Sequence, residues 1–478
     1  MKKTLFFCIA VLINLCLYSH PWKPSHYVII DTDGGIDDIK AISMLLASHD
    51  VRVLAITVSP GVLTADNAFI KVRSLLNSYW HEGIPVGINR SSTYMPEEFP
   101  VPLKTIWGNE NGINANLAPD CFNLINDILS VEKTRISFIS LGSASTVHLA
   151  LKNLPVFRQQ VKDIIWSADG ASESEGSNYN IDKEASVRLL KQEIPVKVVR
   201  KFSLSNTDFY NEELIRDIGG INTVYARKIS KFFNSDMAKN HKFAFTGTDE
   251  MVAVFLHYPE LFINKTAGYI TDCYPSDLSG LRESTIRILK GETIEKNQVI
   301  KELPTDPEFY FEDIEPYVLK IIEAHGNEEW ISGVLASEMH RHLGVFEIIG
   351  VKMGIRAREY FNTGVDEFTA TSYAGSTPPL SCMNDGIQVS TGATPGHGLL
   401  TVRNDTLLRP AVDFTYLNRK IRLTLKSSLT EKISSELKEI NFIYGLDSNI
   451  YWELVRKNSI KYWNSLDRHE IFDIEVIR

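Results

Sequence analysis

The chain has 478 residues, of which 44% are hydrophobic, 10% aromatic and 23% charged. That is enough for two or three independently cored domains, and it excludes a fibrous or disordered protein. A formal net charge of −9 gives the counterion-release term that drives nucleic-acid binding no obvious source, so no nucleic-acid partner is expected.

The chain opens with Lys2-Lys3, an apolar run over 5–17 and the polar exit Tyr18-Ser19-His20-Pro21. This is the pattern of a secretory signal over 1–20, and it predicts an exported, periplasmic or secreted protein. The run is short for a membrane span, with an uncleaved anchor as the alternative. A lipoprotein variant on Cys16 fits poorly with the bulky Leu15 before it. No second stretch of spanning length follows, so no membrane span is expected after signal removal. Of the five cysteines, Cys8 and Cys16 lie in the signal. Cys121, Cys273 and Cys382 remain, too few and too scattered for a disulfide framework. One pair, or one thiol with chemistry of its own, stays open.

From residue 27 onward, β-branched runs alternate with amphipathic stretches. A strand over 27–30 precedes a helix over 39–47, and a strand over 51–58 precedes a helix over 67–79. The rhythm returns at 136–141 with 145–154, at 163–167 and at 196–199. It predicts an α/β fold with a mainly parallel sheet flanked by helices, with ligands at the strand ends. Between 273 and 330 the pattern becomes irregular, and the domain boundary is placed near 326–331, giving domains at 27–328 and 331–478. The second is expected to be a smaller α+β domain. It carries a helix with His340 and His342, a Gly-rich stretch over 381–398 and a Lys/Glu-rich helix around 429–440.

The sharpest local signal is Asp31-Thr32-Asp33-Gly34-Gly35-Ile36-Asp37-Asp38, between an apolar strand and a helix. Four carboxylates in eight residues repel one another at low dielectric unless a cation sits among them. Calcium, with about six to eight flexible oxygen ligands, suits them better than magnesium. Taken alone, the string also fits a phosphotransferase site or a solvated turn. An EF-hand loop is disfavoured because Asp31 ends a strand and no glutamate stands at the twelfth loop position.

With its helix, this string resembles the Asp-x-Asp-Pro-Gly-x-Asp-Asp signature of the inosine-uridine nucleoside hydrolase family, Gly34 replacing the usual proline. Four further segments match in order: 54–58 with Asp66-Asn67-Ala68; 136–149 around Gly142 and Ser145; Asn178-Tyr179-Asn180 with Asp182-Lys183-Glu184-Ala185; and Thr248-Asp249 before Val252-Ala253 and Pro259-Glu260-Leu261-Phe262. The resemblance covers about 27–326. It implies a calcium-dependent hydrolase of N-glycosidic bonds in ribonucleosides or related ribosides. Its implied calcium ligands are Asp33, Asp38, the carbonyl of Ser145 and Asp249. Asp33 would also be the catalytic base, and Asp37, Asn178 and Asn180 would bind the riboside. Assembly as a homo-oligomer is compatible with this reading and is not fixed by it.

The departures fall on the leaving-group side. Thr248 stands where many members have a proton-donating histidine, Val62 replaces an asparagine and Trp107 replaces another histidine. Threonine is not among the side chains that titrate near neutral pH. Turnover then needs another acid, with Asp169, Glu173 and Glu110 as candidates, or a riboside with a better leaving group. Trp107 is read as a packing or base-stacking residue, and His148, His241 and His257 as surface or packing residues. The alternative reading is a calcium-stabilised riboside-binding protein without turnover.

In the C-terminal part, His340-Arg341-His342 and Cys382-Met383-Asn384-Asp385-Gly386-Ile387-Gln388, followed by Thr391-Gly392-Ala393-Thr394, resemble the FmdE family associated with formylmethanofuran dehydrogenase. Gly344-Val345-Phe346 departs from that family's Cys-Pro-Gly, and no cysteine-rich zinc finger follows. The resemblance implies a transition-metal site. Imidazole and thiolate at His340, His342 and Cys382 would suit zinc or a similar ion. Against it stands the geometry of an ideal helix, on which residues two apart diverge in direction.

Overall fold

The computed structural model describes residues 24–168, 176–202, 208–241, 245–292, 299 and 302–477. The expected signal at 1–20 lies outside them. Among the described residues no helix is long and apolar enough to cross a membrane. The chain divides into two compact units, one of residues 24–294 with 359–362, the other of 295–358 with 363–478.

The first unit is built on an eight-stranded sheet in the order β3-β2-β1-β4-β5-β6-β8-β7, with β1 His26–Thr32, β2 Val51–Val58, β3 Val86–Ile88, β4 Ile136–Ser140, β5 Val161–Ala168, β6 Val196–Arg200, β7 Phe262–Ala267 and β8 Ile270–Pro275. All pairings are parallel except the β7–β8 hairpin, which turns at Gly268 with φ +63°. This is the expected α/β architecture. β2 is buried along its whole length, as a central parallel strand covered on both faces must be. The helix Ile36–Ala47 is buried at every position but Asp37 and packs against helices Glu250–His257 and Leu278–Lys290.

The helix Leu278–Lys290 falls in the region read as irregular. Its apolar face is narrow: Leu281, Ile288 and Leu289 are buried beside Ser284 and Thr285, while Arg282, Glu283, Arg287 and Lys290 dilute the pattern. The 3.6-residue period is therefore carried partly by hydroxyl side chains, which a hydrophobic count does not register.

The second unit has a five-stranded sheet in the order β10-β9-β11-β12-β13, with β9 Thr369–Ser372, β10 Leu400–Val402, β11 Ala411–Tyr416, β12 Arg419–Leu425 and β13 Phe472–Ile477. Only the β9–β10 pair is parallel. With its helices this is the smaller α+β unit expected. One core cluster joins Ile314, Val318 and Ile321 to Trp330, Ile460 and Trp463. The indoles of Trp330 and Trp463 stack at 4.9 Å between centroids, 19° from parallel.

Candidate active site

The strand end of β1 distributes the four carboxylates of the motif. Asp31 turns into the sheet, where Thr57 Oγ1 and Ser59 Oγ donate to its two oxygens at 2.5 and 2.9 Å. Burial pushes its carboxyl up to about 7 against those hydrogen bonds. Asp33 follows in the loop, and Gly34, at φ +83°, supplies the left-handed turn that brings Asp37 and Asp38 into the first turn of the helix. Carboxylates are favoured at that N-terminus by the helix dipole. A side chain at Gly61 would collide with the Asp33 carboxylate, so the loop after β2 must carry glycine there.

Asp33, Asp38 and Asp249 are buried, while Asp37 is partly exposed. One carboxylate oxygen from each of Asp37, Asp38 and Asp249 lies within 4.8 Å of the others, the one such group of potential metal ligands among the described residues. Asp33 is not in that trio but adjoins it, its amide donating to Asp38 Oδ1 at 3.2 Å. Both Asp33 carboxylate oxygens are buried without a hydrogen bond of ordinary geometry. The amides of Val62 and Gly35 stand close enough to favour its charged form slightly, but burial and the charges of Asp38 and Asp37 outweigh them and hold the carboxyl well above the usual range. Burial, then the charge of Asp37, lifts Asp38 to about 6. Burial also raises Asp249 well above its ordinary value, with Asp37 and Asp38 adding to it. Orphaned carboxylate oxygens and raised pKa values together describe a cluster short of positive charge, and this donor set fits calcium.

Residues from distant elements fix the cluster. Thr32 Oγ1 donates to Asp38 at 2.6 Å, and Ser167 Oγ, at the end of β5, donates to Asp249 at 2.5 Å. The Thr248 hydroxyl donates to Asp37 Oδ2. The Thr248 amide donates to Glu250 Oε2 at 3.1 Å, and the other oxygen of Glu250 meets Lys40 at 2.5 Å and the Tyr210 hydroxyl at 3.0 Å. Lys40 and Glu250 are both buried, and Lys40 Nζ lies 4.4 Å from the Tyr210 ring centroid. Sequence reading missed this pair and Ser167. The signal for the pair was a lysine inside Ile39-Lys40-Ala41-Ile42, where an apolar helix tolerates a charge only if a partner arrives from elsewhere.

Ser145 is buried at the start of helix Ser145–Asn153, its hydroxyl hydrogen-bonded to Ser143 Oγ at 2.9 Å. Gly142, in the same loop, packs against Asp33. The buried Asn178 donates to the carbonyls of Leu141 and Ser167 at 2.5 and 3.2 Å, tying the ends of β4 and β5 together. Asn180 is exposed and donates to the Gly176 carbonyl at 2.7 Å. Trp107 is fully buried against Phe232 at 5.3 Å between ring centroids, a packing role that leaves no face for a base. Glu110 pairs with Lys71 at 2.7 Å. Asp169 and Glu173 lie outside the described residues.

In the second unit, helix Asn327–His340 ends at His340, and Arg341 takes φ +70°. That reversal turns the two histidine rings toward each other, 4.3 Å between centroids, so they do not diverge as they would on a continued helix. His340 Nδ1 meets Asp385 Oδ2 at 2.7 Å, and Nε2 is buried without a partner. Burial lowers the pKa of His342, with His340 adding to it. Cys382 is a free, half-buried thiol whose pKa burial pushes up to about 11. Cys121 and Cys273 are also free, so the three described cysteines form no disulfide with one another.

Residues 28–309 match the sequence profile of the inosine-uridine preferring nucleoside hydrolases, and residues 339–444 that of FmdE, from the molybdenum formylmethanofuran dehydrogenase operon. A pyrimidine-specific ribonucleoside hydrolase, RihA, of Salmonella paratyphi B is 26% identical over 258 residues, 49% of this chain and 80% of that protein. Two solved structures are similar: a plant nucleoside hydrolase, PpNRh1 (TM-score 0.47, 16% identity, 56% of this chain and 99% of that one), and a purine-preferring ribonucleoside hydrolase from Gardnerella vaginalis (TM-score 0.45, 14% identity, 55% and 98%).

Proposed function

Because the chain belongs to the inosine-uridine preferring nucleoside hydrolase family, we propose that its first unit hydrolyses the N-glycosidic bond of a riboside and depends on calcium to do so. The observation that carries this reading is the convergence of Asp37, Asp38 and Asp249 beside the buried, partnerless oxygens of Asp33. Asp33, Asp38, Asp249 and the Ser145 carbonyl would hold the ion. When bound, calcium supplies the positive charge that offsets carboxylate repulsion and makes a nearby water more acidic. Asp33 takes the proton of the attacking water. Asp37, the one carboxylate of the cluster open to solvent, holds a ribose hydroxyl, and Asn178 and Asn180 are assigned to the remaining sugar contacts. These residues favour reaction by stabilising an oxocarbenium-like sugar as positive charge develops on it.

The Thr248 contact to Asp37 supports a second reading, a riboside-binding module without turnover, since the family's leaving-group acid is replaced. Reducing-sugar release from a panel of purine, pyrimidine and activated ribosides, with calcium and with chelator, separates the two. Calcium-dependent ribose release supports the hydrolase; binding with no release from any riboside overturns it. For the second unit we infer transition-metal binding on the donors read from sequence. Export is inferred from the residues at 2–21.

A further inference from the structure

Asp37 stands between two uses. One of its carboxylate oxygens lies within 4.8 Å of oxygens of Asp38 and Asp249, so its position suits a cation ligand as well as a sugar contact. Its side chain is clamped from two directions. A Cβ at Gly35 would stand 2.8 Å from Asp37 Oδ1 and 2.5 Å from Asp38 Oδ2, so the bare glycine leaves the room in which these two oxygens sit. On the other side, the Thr248 hydroxyl donates to Asp37 Oδ2. Thr248 is itself anchored through its backbone: its amide donates to Glu250 Oε2 at 3.1 Å, and its carbonyl accepts the Met251 amide at 3.0 Å. The preceding Gly247 accepts the Phe202 amide on its carbonyl at 2.8 Å and packs against the Phe209 ring. Glu250 is held in turn by Lys40 at 2.5 Å and by the Tyr210 hydroxyl at 3.0 Å, and all three side chains are buried.

An ionised carboxylate only accepts hydrogen bonds, and a hydroxyl donor on one of its oxygens fixes the direction in which it points. Threonine at 248 therefore has a use that needs no proton transfer: it sets which way Asp37 faces. We propose that Thr248 is a positioning residue whose hydroxyl holds Asp37 off the calcium ligands and keeps that carboxylate for a hydroxyl of the riboside. The buried contacts of Glu250 with Lys40 and Tyr210 stiffen the anchor, because a backbone amide held by a buried, doubly engaged carboxylate has little freedom to drift. Calcium accommodates a variable number of oxygen ligands, so without the hydroxyl Asp37 is free to turn onto the ion and the sugar loses its partner. This role rests on the reading of the first unit as a calcium-dependent riboside site, and it holds whether or not the bound riboside is cleaved.

The test reads binding in the full chain by titration calorimetry, first with calcium, then in excess calcium with D-ribose and with pseudouridine, a riboside whose carbon–carbon glycosidic bond is not hydrolysed. The wild type is compared with Thr248→Val and Thr248→Ser, each checked for native circular dichroism. Thr248→Val should bind calcium at least as tightly as the wild type and bind the two sugar probes about tenfold more weakly, the scale of one hydrogen bond to a charged group. Thr248→Ser keeps the hydroxyl and should match the wild type for all three. A crystal structure of calcium-loaded Thr248→Val should show a carboxylate oxygen of Asp37 on the ion. Wild-type affinity for the sugar probes in folded Thr248→Val, or Asp37 unmoved in that crystal structure, overturns the positioning role. Joint loss of calcium and sugar in Thr248→Val also overturns it, since Thr248 would then only hold the loop that carries Asp249. A wild-type chain that takes up calcium but neither sugar probe overturns the riboside reading, and one that takes up no calcium overturns the calcium site; either result removes this role as well.

Discussion

The division of labour among the carboxylates is a statement about individual side chains. Asp33 and Asp38 are buried, and Asp37 reaches partly into solvent. Asp33→Ala is therefore expected to abolish both calcium binding and ribose release, whereas Asp37→Ala should retain calcium within a few-fold and lose riboside affinity. Equal loss of calcium in both, measured by titration calorimetry, would reassign Asp37 as a ligand. Thr248→His should raise turnover of purine nucleosides by about 10²–10⁴-fold, the usual worth of a general acid, and an unchanged kcat would mean that more of the leaving-group pocket than this one position differs. The raised pKa values give a pH dependence. Asp38 holds its proton up to about 6 in the metal-free chain, against about 4 for an unperturbed aspartate. Between those values the folded metal-free state binds a proton that the unfolded state has lost, so this group's contribution to stability falls as pH rises through the window. Calcium needs the ionised form and must displace that proton. Its affinity should weaken as pH drops from 7 to 5, with proton release visible as buffer-dependent heat, and a flat profile would remove this cluster as the binding site. The contiguous carboxylates were legible in the sequence because four like charges crowded between an apolar strand and a helix repel one another unless a cation joins them. Ser167 was not, because a lone serine at a strand end is ordinary until the fold sets it against Asp249.

At the level of elements, β1, β2, β4, β5 and β6 were legible as short runs rich in β-branched residues, and β2 begins and ends at the predicted residues 51–58, whereas the three-residue β3 and the polar β8 were not. Helix 278–290 was not, because serine and threonine make up part of its buried face. The helices Ile36–Ala47 and Glu250–His257 are joined by the Lys40–Glu250 pair, whose members are 1% and 0% exposed. Removing one partner of a buried pair leaves an uncompensated charge, so Lys40→Met should cost about 3–5 kcal/mol in urea unfolding, and Lys40→Met with Glu250→Leu should recover most of it. The single variant should also weaken calcium binding, since Glu250 holds the amide of Thr248 beside Asp249. Equal stability of the single and double variants would mean that the glutamate is neutralised by protonation instead.

Across the whole molecule, the calcium site proposed for the first unit rests on carboxylate oxygens, and the metal site inferred for the second on imidazole and thiolate. Calcium at about 100 times its Kd should stabilise the first unit by about 2.7 kcal/mol. Scanning calorimetry should then show one transition that moves with calcium and one that does not. Two transitions moving together would contradict independent loading of the units.

The indole stack of the second unit has a consequence for the order in which the protein is made. Trp330 lies near the unit's start, while its partner Trp463 and the sheet strand Phe472–Ile477 come far later in the chain. Translation must therefore deliver residues up to 477 before that core and sheet can close. A nascent chain paused before Trp463 would leave the face of Trp330 open to water and to chaperones, although the strands of the first unit had already emerged.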